Sequence, residues 1–172
     1  MNPRQSFHIV GIFLKFFGLL LLIPAVVAFY YRHGDLHAFL VTIIITSGSG
    51  LILELATKNR GGAVEINRKD AFFIAFMCWI TASLFGALPY LILGVFETPF
   101  GAIFESVSGY TTTGATVLSD IESQPRGILF YRSFTQWLGG MGIIVLAIAV
   151  LPKLSVGGMQ LMSMETPGPH AE

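Results

Sequence analysis

Thr111, Thr112, Thr113 and Gly114 form an uncharged polar run inside "SGYTTTGAT" (residues 108–116), between two strongly apolar stretches. A cation that sheds its water shell needs oxygens of comparable field in its place, and successive backbone carbonyls can supply them. Regular helix and strand do not aim several carbonyls at one axis. Glycine reaches positive φ without a Cβ penalty, which makes Gly114 the natural pivot of such a loop. The three threonines are β-branched and favour an extended backbone, with hydroxyls that can add oxygens or brace the loop. The lack of carboxylates in the run argues for a weak-field monovalent site, because a calcium cage wants acidic ligands. An exposed polar loop between two helices is the plainer reading of the same residues.

The elements around this run decide between the two. Residues 100–110, "FGAIFESVSGY", carry Phe100, Ile103, Phe104 and Val107 at helical spacing. Eleven residues make a helix of about 16 Å, half of a hydrocarbon core. Such a piece can enter a bilayer and return. Non-helical backbone at that depth is tolerated only inside protein or beside a water-filled cavity. The C-terminal end of the half-helix, near Gly109 and Tyr110, carries about half a negative charge and would stabilise a cation just beyond it.

Composition agrees with a bilayer. The chain has 172 residues, 53% hydrophobic and 12% charged, with a mean hydropathy of +0.72. Soluble domains carry about 25% charged residues. Ten basic residues balance ten acidic ones, so no electrostatic footprint for nucleic acid is present. The single cysteine, Cys78, lies in an apolar run and reads as a small buried hydrophobe. Four segments are long enough to span: about Ile9–Tyr31, Ala38–Ala56, Ala71–Val95 and Gly127–Leu151. The first is too long for a signal-peptide core and reads as a retained helix. Lys58, Arg60, Arg68 and Lys69 put the 57–70 loop in the cytoplasm, and the N-terminus with it. Residues 96–126 then start and finish outside, and the order becomes helix, half-helix, unwound loop, helix, preceded by a two-helix hairpin.

Other residues carry weaker signals. Glu105, in the half-helix, is either a cation-attracting or loop-bracing carboxylate or an acid on an outer wet face; bracing is favoured over ion contact. Arg132 is expected to snorkel to the outer interface or to pair with an acid of the loop, in a supporting role. Lys15 and Glu54 read as snorkelling residues that could also pair. "GGMG", Gly139 to Gly142, permits close helix approach or a gating bend. Tyr131 and Trp137 read as packing or belt residues. "HGDLH", His33 to His37, offers too few ligands for a metal. No nucleophile–base pair, phosphate loop or redox motif is present, so no enzyme chemistry and no cofactor are expected.

"FESVSGYTTTGATVL", then "GILFYRSFTQWLGGMGIIVLAIAVLP" and "GGMQLMSMETPGP", closely resemble the Trk-type potassium uptake proteins, the TrkH/TrkG family of the superfamily of potassium transporters. The resemblance covers essentially the whole chain. It implies a membrane-helix, pore-helix, membrane-helix repeat used four times in one polypeptide around a central pore. It assigns filter oxygens to Thr111, Thr112, Thr113 and Gly114, with potassium held at Thr112 and Thr113 as substrate. It also implies the bacterial inner membrane, a homodimer of the full-length protein and a cytoplasmic nucleotide-binding regulatory subunit (TrkA-like). One repeat cannot surround an ion, so the chain is expected to be the N-terminal portion of a longer transporter. The expected fold is all-α integral membrane: hairpin and cytoplasmic loop over 1–69, one pore repeat over 70–155 with its filter loop at 111–116, and a cytoplasmic tail over 156–172. The rival readings are a non-transporting membrane subunit or anchor, a truncated inactive remnant, and a transporter of another solute with a broken-helix site.

Overall fold

The computed structural model describes residues 3–58 and 68–144. The described residues are all-helical: α1 (Pro3–Leu20), α2 (Leu22–Tyr31), α3 (Leu36–Thr57), α4 (Arg68–Gly86), α5 (Leu88–Leu93), α6 (Pro99–Tyr110) and α7, helical over 126–144. Most of the 57–70 loop, the far end of the fourth expected span and the 156–172 tail lie outside the described residues.

Two of the expected continuous spans are interrupted, each for the same reason. Proline has no N–H to donate back along the helix and its ring crowds the preceding turn. Pro24 lies just past the break at Leu21, where Leu21 N–H reaches only three residues back, to the Gly18 carbonyl at 3.2 Å. Pro89 lies just past the break at Ala87, whose N–H bonds Leu84 at 3.3 Å. Each break is a kink, so α1–α2 and α4–α5 still form single apolar segments. Among the described residues, three segments are long and apolar enough to cross a membrane: Pro3–Tyr31, Leu36–Thr57 and Lys69–Leu93.

The hairpin closes on small residues. A Cβ at Gly11 would press on the Glu54 backbone, and one at Gly50 on the Lys15 backbone, so α1 and α3 approach at backbone distance there. At this crossing Lys15 Nζ meets Glu54 Oε2 at 2.5 Å, so the two residues pair instead of snorkelling independently. The hairpin shares its core with the later helices. Leu21, Ala25, Ala28 and Phe39 pack with Tyr90, Ala102, Ile128 and Tyr131 in one buried cluster, and Leu14 and Phe17 pack with Ala82 and Tyr110 in a second.

Candidate functional site

α6 starts with a side-chain cap. Thr98 Oγ1 accepts from Gly101 N–H at 3.3 Å, and Pro99 takes the first helical position, where its missing N–H costs nothing. Twelve residues later the helix stops at Tyr110, inside the protein. Its inner end is held from two sides. On the α4 side, Ser106 Oγ donates to the Ser83 carbonyl at 2.7 Å. On the α7 side, Tyr131 is fully buried; its hydroxyl donates to the Gly86 carbonyl at 2.7 Å and lies 3.2 Å from the Tyr110 hydroxyl. Tyr131 is therefore a packing residue and not part of an interfacial belt, whereas Trp137 is largely exposed. A Cβ at Gly139 would collide with the Tyr110 carbonyl, which makes the "GGMG" segment a seat for the end of α6.

The threonine run leaves this seat as a turn, not as the extended strand expected from β-branching. Thr111 N–H still bonds Val107 at 2.9 Å, Thr112 N–H bonds Gly109 at 3.0 Å, and Thr113 N–H bonds Ser108 at 3.0 Å. Satisfying the last carbonyls of α6 outweighs the local preference of three threonines. Thr112 consequently adopts φ 56°, an unfavourable region for a β-branched residue, and Gly114 adopts φ 75° as expected of the pivot. The hydroxyls brace the loop: Thr111 Oγ1 donates to Val107 O at 2.8 Å and lies 2.8 Å from Thr113 Oγ1, and Thr112 Oγ1 donates to Thr111 O at 2.7 Å. Ser108 Oγ donates to Ala115 O at 2.6 Å, tying the far side of the loop back to α6. Among the described residues, nothing donates to the carbonyls of Thr112, Thr113 or Gly114, and all three residues are exposed.

Below the loop sits one ion pair. Glu105 is 4% exposed, which excludes the wet outer face. Arg132 Nε donates to Glu105 Oε1 at 2.7 Å, with the arginine side chain 16% exposed. Arg132 thus pairs with an acid of α6 and not with an acid of the outer loop. Thr116 Oγ1 donates to the same carboxylate at 2.9 Å and Val117 N–H at 3.3 Å. The structure therefore brings Glu105 and Arg132 together under residues 116–117, while Thr111 to Gly114 lie beyond the end of α6. Ser108, Thr116 and the Tyr110–Tyr131 pair were not singled out by sequence reasoning. The legible signal for Ser108 is its place on the last turn of the half-helix, five residues before Thr113. The two tyrosines carry no local signal, since their partners are distant in sequence.

A family model described as "TrkH: Cation transport protein" matches residues 35–172. The Trk system potassium uptake protein TrkH of Halomonas elongata is 44% identical over 170 residues, covering 98% of this chain and 35% of that protein. The Trk system potassium uptake protein TrkG of Escherichia coli is 42% identical over 172 residues, covering 99% and 35%. The crystal structure of the potassium transporter TrkH from Vibrio parahaemolyticus superposes with a TM-score of 0.83 at 40% identity, over 97% of this chain and 34% of that one. The chain thus spans about a third of the length of the relatives it matches.

Proposed function

The chain belongs to the TrkH family of cation transport proteins, and from that premise we propose that it contributes one part of a potassium pore in a bacterial inner membrane. Residues Thr111, Thr112, Thr113 and Gly114 line the ion path, with potassium at Thr112 and Thr113. The observation that carries this reading is the loop itself. In an extended strand successive residues face opposite ways; positive φ at Thr112 and again at Gly114 breaks that alternation. The carbonyls of Thr112, Thr113 and Gly114 take no hydrogen bond from the described residues, while Ser108, Glu105 and Arg132 hold the flanks of the loop. The C-terminal end of α6 adds the favourable end of a helix dipole.

One such loop cannot enclose an ion, so the pore needs further copies of the helix–half-helix–helix unit. The chain is the N-terminal portion of a polypeptide that carries them, with residues 1–69 as the preceding hairpin, 70–155 as the first unit and 156–172 as a cytoplasmic tail. The positive 57–70 loop faces the cytoplasm, as does the N-terminus. In the complete protein a homodimer and a cytoplasmic nucleotide-binding regulatory subunit accompany the pore. A non-transporting anchor would have no use for a loop so braced. Replacing Gly114 by Ser in the complete transporter tests the filter: rubidium uptake should lose its preference over sodium. An unchanged preference in protein that reaches the membrane in normal amount would overturn the assignment.

A further inference from the structure

Asp35 opens α3 from the loop that closes the hairpin. An aspartate at that position ordinarily turns its carboxylate onto the first-turn N–H groups of its own helix. This one makes no such bond, and its backbone carbonyl accepts from Ala38 N–H at 3.2 Å instead. The side chain is fully buried, and neither carboxylate oxygen has a hydrogen-bond partner among the described residues. An unpaired charge in such a place is costly unless a field compensates it. Gly127 shows where the carboxylate lies: a Cβ there would collide with Asp35 Oδ2 and come 2.7 Å from Ala28 Cβ. Gly127 is the second residue of α7. The first-turn N–H groups of a helix have no acceptor within it and form the positive end of its dipole.

We infer that Asp35 is a positioning residue for the filter: its carboxylate, supplied by the hairpin, anchors the outer end of α7 and so fixes Arg132 against Glu105. Arg132 lies five residues beyond Gly127, about 7.5 Å along the same helix. Between them Ile128 and Tyr131 are fully buried, so the first turns of α7 move as one packed unit. A shift at Gly127 therefore displaces the guanidinium that holds Glu105, and with it the carboxylate that receives Thr116 and Val117. This assigns to the hairpin a part in ion preference, and it rests on the filter reading above.

The test uses the complete transporter. Asp35→Leu keeps the branched shape, with bulkier methyls in place of the oxygens, and removes the charge; rubidium-over-sodium preference should fall about fivefold, the equivalent of one helix-terminal charge interaction. Asp35→Asn retains a capping oxygen and should lose less. In an Arg132→Gln background, Asp35→Leu should add nothing, because its effect passes through Arg132. If Asp35→Leu fails to accumulate, Gly127→Ala displaces the carboxylate and takes its place with the same expectation. Independent, additive effects overturn the inference, since sites without a shared partner add. The same cycle read as melting temperatures of the purified protein does not need the filter reading: non-additive losses support the anchor and additive ones overturn it. If Gly114→Ser also leaves ion preference unmoved, the filter reading is what fails, and the melting cycle still decides on Asp35.

Discussion

Glu105→Gln removes one charge and no volume from the site beneath the loop. The carboxylate receives three donors: Arg132 Nε at 2.7 Å, Thr116 Oγ1 at 2.9 Å and Val117 N–H at 3.3 Å. A glutamine amide has a single oxygen, so at least one donor must face an NH2 group. The loss of one hydrogen bond to a charged group costs about 1.5–3 kcal/mol. Arg132 would also be left as an uncompensated cation, and breaking a buried pair from one side costs about 3–5 kcal/mol. With the oxygen retained toward Arg132, the expected loss lies near the bottom of the second range, about 3 kcal/mol. Thermal melting of the purified protein in detergent, with rubidium uptake under sodium competition, measures both consequences. The melting temperature should fall and ion preference should weaken together, because Glu105 holds the residues just beyond Gly114. Glu105→Gln with Arg132→Gln should be less damaging than the sum of the two, since no lone charge remains. A Glu105→Gln protein with unchanged melting temperature and unchanged preference would refute the bracing argument.

Gly139→Ala should destabilise the protein, because the new methyl meets the Tyr110 carbonyl and the end of α6 must move; a conserved melting temperature would show that α7 can slide aside. Lys15→Met should lower the melting temperature by leaving the Glu54 carboxylate unpaired at the hairpin crossing. Adding Glu54→Leu should recover most of that loss, and a double variant as unstable as the sum would mean that the two residues act separately.

The half-helix shows how much local sequence can carry. Apolar spacing at Phe100, Ile103, Phe104 and Val107 marked an element too short to span, and α6 runs over Pro99–Tyr110. Gly114 announced a positive φ because only glycine takes it freely, and it has φ 75°. Thr112 announced nothing. Its φ of 56° arises from carbonyls of α6 that lie three to five residues upstream and need donors. The kinks beside Pro24 and Pro89 were legible in principle, since proline acts locally, yet hydropathy over a long window conceals them.

The solvent, the helical spans, the half-helix, the uncharged loop and the family motifs were determined by the sequence alone. They depend on composition and on interactions within a few residues. The tertiary structure decided the pairing. Glu105 meets Arg132 across 27 residues, Tyr131 meets Gly86 across 45, and Asp35 turns from its own helix to Gly127. Each of these side chains had an ordinary local alternative: a wet face, an interfacial belt and an N-cap. Which one it takes depends on what packing buries beside it, because a buried polar group must find its compensation wherever the fold has placed one.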